Sequence, residues 1–268
     1  MACDSHAARR YNGVCCTPTV DGGPMKDTLS AVNCGNCSVR RLCLPADLSA
    51  EEIDRLEEIT GKRRMLRAGE TLYRAGDPFA NLYAIRSGSF KSTVIATDGD
   101  TQVTHFALPG ELLGLDAYSG RMHSTFAEAL EDSSVCVLPF AQLESLAQEV
   151  PALQHQIYTI FSEELKKENE ALLLLGKRSA ETRMAALLIN ISSRYARRGY
   201  SATAFVLSMP RTDIANYLGL TAETVSRLLS KFQREKLIAV RGREVEILDL
   251  IALSELAGTH CSYEDAGG

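Results

Sequence analysis

The sequence predicts an α+β chain: an N-terminal β-barrel or jelly roll, one long helix, and a C-terminal winged helix-turn-helix. Three observations predict it. Between residues 63 and 138 short apolar runs alternate with turn residues, at a spacing of about ten that suits antiparallel all-β folds. From Tyr158 to Leu175 apolar residues recur at intervals of three and four, as one face of a helix requires. Between Thr212 and Phe232 two short amphipathic stretches meet at Gly219, the pattern of two helices joined by a tight turn.

Bulk properties agree. A chain of 268 residues has room for two domains with separate cores. Hydrophobic residues at 45% and charged residues at 24% fit a globular protein and argue against a disordered one. No apolar run approaches the roughly 18–20 residues of a membrane span. The first 30 residues lack the apolar segment of a signal peptide, so a cytoplasmic location is expected. Thiols there seldom form structural disulfides, and clustered cysteines point to metal or redox chemistry. Six of the eight cysteines fall in the first 43 residues: Cys3, Cys15, Cys16, Cys34, Cys37 and Cys43.

In order along the chain, residues 1–33 read as a flexible tail rich in small and polar residues, and 34–47 as a cysteine segment. A roll domain is expected over 48–150. It opens with a short helix that Ser49 caps, Glu52 completing a capping box and Gly61 ending the helix. Turn residues then punctuate the strands at Gly69, Gly76-Asp77-Pro78, Ser87-Gly88, Pro109-Gly110 and Ser119-Gly120, and Thr97-Asp98-Gly99-Asp100 marks a hairpin. Residues 151–177 form the long helix. Tyr158, Phe161, Leu165, Glu168, Leu172 and Leu175 make a seam with spacings of three and four, interrupted by one carboxylate. Such a seam packs either on the chain's own roll or on a second copy. In a second copy Glu168 would repel its equivalent and leave the pair marginal.

Residues 178–258 are expected to form the winged helix-turn-helix, and 259–268 a tail. Ser179 caps its first helix. Thr212 and Asp213 open a short one, and Thr221 caps the next. Glu223, Ser226 and Arg227 share a face near that helix's N-terminus, the end that enters the major groove of DNA in this motif. Arg can fork onto guanine and Glu can accept from cytosine. Thr212, Thr221 and Lys231 are candidates for phosphate contacts, which position without specifying. Arg241-Gly242-Arg243 tips a basic wing. The net charge of −5 conceals an asymmetry: residues 194–243 hold ten Lys and Arg against three acids, a local +7 that leaves −12 elsewhere. This is a footprint for phosphate contact at one end, or a solvated basic face.

Cys34-Gly35-Asn36-Cys37 and Cys43 give C-x2-C-x5-C, three thiolates able to reach one metal centre. Zinc would want a fourth nearby ligand, and no second pair follows. A four-iron cluster also wants a fourth thiolate, which can come from afar. Cys136 is the candidate, although a lone cysteine in an apolar strand is more often a small core residue. No nucleophile–base pair or phosphate loop suggests an enzyme.

The cysteine spacing, Leu82-Tyr83-Ala84-Ile85-Arg86-Ser87-Gly88, Val135-Cys136, Asp213–Thr221 and Glu223-Thr224-Val225-Ser226-Arg227-Leu228-Leu229 together resemble the CRP/FNR transcription factors. Within them they resemble the fumarate-and-nitrate-reduction regulators (FNR, or Anr), from about Asn33 to Gly258. The resemblance implies a cyclic-nucleotide-binding-like roll and a homodimer. It implies that Cys34, Cys37, Cys43 and Cys136 ligate one oxygen-labile 4Fe-4S cluster per subunit. Glu223, Ser226 and Arg227 would read TTGAT-type half-sites in double-stranded DNA. Glu168 would disfavour the clusterless dimer, Ser87 would lie on a surface that meets RNA polymerase, and the regulated genes would serve anaerobic metabolism. Cys3, Cys15, Cys16 and Cys261 match no family ligand.

Two other readings compete. One is a cyclic-nucleotide-responsive regulator, since Pro109–Gly114 is similar to a phosphate-binding turn; however, His123-Ser124-Thr125 stands where an Arg-Ser-Ala run is needed. The other is a zinc-stabilised structural or interaction protein.

Overall fold

The computed structural model describes residues 34–45, 47–60, 63–97 and 99–258. The two tails, with Cys3, Cys15, Cys16 and Cys261, lie outside the described residues, as do Gly61 and Asp98.

Eight strands form the roll: β1 (Arg63–Leu66), β2 (Thr71–Tyr73), β3 (Asn81–Ser87), β4 (Phe90–Ile95), β5 (Thr101–Ala107), β6 (Leu112–Leu113), β7 (Phe126–Ala129) and β8 (Ser133–Pro139). They pair into two four-stranded antiparallel sheets, β1-β8-β3-β6 and β2-β7-β4-β5. The barrel alternative is thereby corrected to an open jelly roll, because each sheet keeps two edges. The two-residue period of a strand sorts side chains between its faces. Ile85, Phe90, Ala107, Leu113, Ala127 and Val135 meet between the sheets in one core. Ala84 and Cys136, paired across β3 and β8, join the second core.

That second core is closed by helices. The segment around α1 (Arg40–Cys43) leads to α2 (Ala50–Ile59), and α3 (Phe140–Glu149) follows β8. The Ser49–Glu52 capping box forms as expected, but Thr60 caps the far end of α2. Leu56, Leu82, Leu138, Leu143, Leu146 and Leu153 fill the layer. Gly110 sits where α1 meets the roll. Its φ of 88° belongs to the left-handed region, and a Cβ there would lie 2.6 Å from Cβ of Leu42. Only glycine meets both demands.

The helix α4 (Pro151–Lys177) begins with proline, whose missing N–H costs nothing at that position. At 1.5 Å per residue its 27 residues span about 40 Å. Ser179 caps α5 (Ala180–Arg197) through Thr182 N. The reading head follows: β9 (Ala204–Val206), α6 (Arg211–Leu218), α7 (Ala222–Arg234), β10 (Ile238–Arg241), β11 (Glu244–Ile247) and α8 (Leu250–Ala257). The wing is a three-stranded sheet, β10-β11-β9. The helix α6 opens as expected to within one residue: Pro210 stands at its cap, and Thr212 and Asp213 lie in its first turn. Met184, Leu188, Ile191, Leu218, Phe232 and Leu253 build the third core, which Val103 and Phe106 of β5 also enter. Roll and reading head therefore share buried surface. The sequence reading missed α1, α3, β9 and α8.

Candidate cysteine centre and nucleic-acid interface

A loop, a helix end and a strand bring the four named cysteines together. Cys37 N donates to Cys34 O at 3.2 Å, Arg40 N donates to Cys37 O at 3.1 Å, and α1 carries Cys43 inward. Cys136 sits mid-strand in β8, opposite Arg63 on one side and Ala84 on the other. The carboxylate of Glu57 on α2 holds the start of the loop, accepting from Cys34 N and, at 2.9 Å, from Gly35 N. All four thiols are free, and all line one apolar pocket with Leu138, Ile157 and Arg86.

Burial, reinforced by Glu57 and the thiols of Cys136 and Cys37, pushes Cys34 up to about 12. Burial and the other three cysteines push Cys43 up to about 12. Burial, then Cys37, also raises Cys136, while Arg63 and Arg86 oppose the rise. This mutual influence is the mark of thiols that converge. Among the described residues no three His, Cys, Asp or Glu side chains close tightly enough to hold one metal ion. An all-sulfur set spread around a pocket matches an iron–sulfur group, whose thiolates sit on separate irons, better than a tetrahedral zinc site. Arg86, which lines the same pocket, has a buried Nη1 without a hydrogen-bond partner.

The pocket shares a wall with α4. Leu153, Gln156, Ile157 and Ile160 line it. The seam residues occupy another face of that helix. Tyr158 and Leu165 are each 63% exposed, Leu172 is 69% exposed, and Leu175 and Glu168 are exposed as well. Phe161 departs from the seam, packing on Tyr118 of the roll at 5.4 Å between ring centroids. Packing on the chain's own roll thus accounts for one seam residue and leaves the others uncovered.

In the reading head Gly219 closes α6 in the left-handed conformation, and Thr221 Oγ1 accepts from Thr224 N at 3.1 Å to start α7. Val225, Leu228, Leu229 and Phe232 are buried, so Glu223 and Arg227 are exposed on the opposite face. Ser226 is half-buried. Its hydroxyl donates to Ala222 O at 2.9 Å and accepts from Arg211 Nη1 at 3.1 Å. Arg227 Nη2 donates to Thr224 Oγ1 at 3.2 Å. Thr212 is exposed beside this face. Lys231 is paired with carboxylates of its own chain at the surface, Glu181 at 2.6 Å and Glu235 at 3.7 Å. Ser87 is exposed at the end of β3, its hydroxyl 2.6 Å from that of Ser134.

Several residues of consequence escaped the sequence reading. Asn216 of α6 bonds the edge of β5, accepting from Val103 N at 2.5 Å and donating to Thr101 O at 2.7 Å. Lys91 meets Asp213 at 3.0 Å. Glu111 grips Arg194 at 2.5 Å and Arg198 at 2.8 Å. Burial alone would raise the Glu111 carboxyl, but Arg194 and His105 outweigh it and hold it well below its ordinary range. No local sequence signal marks these contacts, because their partners lie far apart in the chain. In the segment that a nucleotide sensor would use for phosphate, the carboxylate of Asp116 accepts from Ser124 N at 2.8 Å and Thr125 N at 3.0 Å. His123 is buried against Tyr73, with 3.8 Å between centroids. A carboxylate there repels a phosphate.

A jelly roll fused to a winged helix-turn-helix, whose second helix exposes Glu223 and Arg227, is the architecture of a DNA-binding transcription regulator. Residues 182–256 match the Crp-like helix-turn-helix domain, and residues 63–150 match the cyclic nucleotide-binding domain. The chain is 45% identical over 228 residues to the fumarate and nitrate reduction regulatory protein of Escherichia coli (strain K12), covering 85% of this chain and 91% of that one. It is 45% identical over 229 residues to the anaerobic regulatory protein of Pasteurella multocida, covering 85% and 84%. The structure of FixK2 from Bradyrhizobium japonicum superposes with a TM-score of 0.68 at 31% identity, over 74% of this chain and 97% of that one. The chain belongs to the CRP/FNR family, in the branch of the fumarate-and-nitrate-reduction regulators. Its relatives are regulators and not enzymes. Among the described residues no helix is long and apolar enough to cross a membrane.

Proposed function

We propose that this chain is an oxygen-responsive regulator that pairs through α4 and binds palindromic TTGAT-type promoter sites when a 4Fe-4S cluster is held by Cys34, Cys37, Cys43 and Cys136. One observation carries the reading: the four thiols line a pocket on one side of α4 while apolar seam residues stand exposed on the same helix. When bound, the cluster supplies an oxygen-labile cross-link between loop and strand.

The chain's own residues do the rest. Glu57 fixes the loop by its backbone. Leu138, Leu153 and Ile157 exclude water from the sulfurs. With the loop seated, α4 keeps its place on the roll, and Tyr158, Leu165, Leu172 and Leu175 cover those of a second copy despite Glu168. Two reading heads then engage one palindrome, which multiplies affinity. Glu223, Ser226 and Arg227 read bases. Thr212 and Thr221 contact phosphates, and Lys231 joins them by exchanging its carboxylate partners. Ser87 belongs to a surface offered to RNA polymerase at promoters of anaerobic metabolism. The work divides among the cysteine segment 34–47, the sensory roll 48–150, the dimerisation helix 151–177 and the DNA-binding domain 178–258, in the cytoplasm.

The test is purification under argon, with iron content, visible spectrum, molecular mass and DNA binding followed as air is admitted. Colour, pairing and palindrome binding are expected to fall together, and Cys136→Ser protein is expected to be colourless and monomeric. Iron-free protein that binds equally with and without air would end the proposal.

A further inference from the structure

Arg86 is the residue of the cysteine pocket that the ligand set leaves without a task. It lies in a β-bulge: Ile85 pairs with Val135 and Ser87 with the very next residue, Ser134, so Arg86 is the unpaired extra residue of β3. Bulges re-aim a side chain and concentrate near functional sites. Here the extra residue lines the pocket with all four cysteines. Its Nη1 is buried and has no hydrogen-bond partner. A buried N–H without an acceptor is a cost to the fold unless something else supplies one.

We propose that Arg86 is the positioning cation of the cysteine centre, its bulge-directed guanidinium supplying counter-charge and a spare N–H donor to the anionic sulfur set. The proposal rests on the iron–sulfur reading above. Net charge and hydrogen bonds to sulfur govern the potential of such groups, and partners beyond the ligands commonly govern retention of the metal.

Three full-length variants test it against wild type under argon: Arg86→Gln, Arg86→Met and Arg86→Lys. Wild-type protein is assayed first for iron and sulfide; if it holds none, the iron–sulfur reading itself fails, and this proposal with it. With iron present, both neutral variants are expected to lose it to a chelator with about 10–100-fold weaker retention. Their midpoint potential is expected to move to more negative values, and Arg86→Lys to bring it back toward wild type. The iron-free proteins give a readout of opposite sign. Arg86→Met removes an unsatisfied buried donor, so the apoprotein is expected to melt higher than wild-type apoprotein while the loaded protein melts lower. An arginine that merely packs would lower both. Lower melting in both forms, or wild-type potential and chelator resistance in a folded neutral variant, overturns the proposal.

Discussion

Arg227 stands exposed one turn into α7, where its Nη2 donates to the hydroxyl of Thr224 at 3.2 Å. A guanidinium so lightly tethered is free to fork onto a guanine edge. Arg227→Ala is expected to weaken binding to a matched palindrome by about 1–3 kcal/mol. It should affect random duplex much less, and titration of labelled DNA at one fixed salt concentration checks this. Residues of this kind were legible in the sequence because helical periodicity alone puts Glu223, Ser226 and Arg227 on one side. The i,i+4 spacing of Lys231 and Glu235 was legible, but the nearer partner of Lys231, Glu181, was not, since it lies 50 residues upstream. The cysteines divide the same way. Spacing announces Cys34, Cys37 and Cys43, whereas Cys136 joins them only through the pairing of β8 with β3. Arg86 was invisible, because one extra residue in a strand leaves no local pattern.

The helix α4 is an element with two occupations. One face closes the sulfur pocket and the other exposes apolar side chains to solvent. Burying a leucine is worth about 1.5–3 kcal/mol, so Leu165→Glu is expected to abolish pairing of the iron-loaded protein. Glu168→Ala removes a repulsive carboxylate from the seam and is expected to raise both pairing and target expression in air. Sedimentation under argon and in air separates the two outcomes, and a Glu168→Ala protein still monomeric in air would refute the repulsion argument. Elements with caps and a long period could be read in advance: Ser49, Ser179 and Thr221 each start a helix where expected. Most of those missed were short, such as β9 with three residues and α1 with four, or lacked a polar cap, as α3 does; α8 was missed although the side chain of Asp249 caps it.

At the scale of the whole molecule, roll and reading head are tied by charge as well as by a common core. Glu111 is partly buried between Arg194 and Arg198, whose side chains are 7% and 4% exposed. Its folded carboxyl lies well below the ordinary 4.5, so it binds its proton less readily in the fold than in the unfolded chain. The stability it contributes is therefore present above about pH 4.5 and is lost as pH falls toward the folded value. Glu111→Gln is expected to cost about 3–5 kcal/mol at pH 7, because it leaves two buried guanidiniums without their anion. The penalty should shrink on acidification, as urea melts from pH 7 to pH 3 would show. This tie could not be read in the sequence, because its partners lie more than 80 residues apart and no local pattern links them.

Gly110 immediately precedes Glu111 in the chain and lies against Leu42, which leaves no room for a side chain at position 110. The seat of the sulfur-bearing helix and the clasp on the DNA-facing half are thus consecutive links of one backbone. A displacement of Leu42 would therefore be felt first by the backbone that carries Glu111. Gly110→Ala is expected to displace α1, loosen iron and alter DNA affinity even in protein locked as a covalent pair.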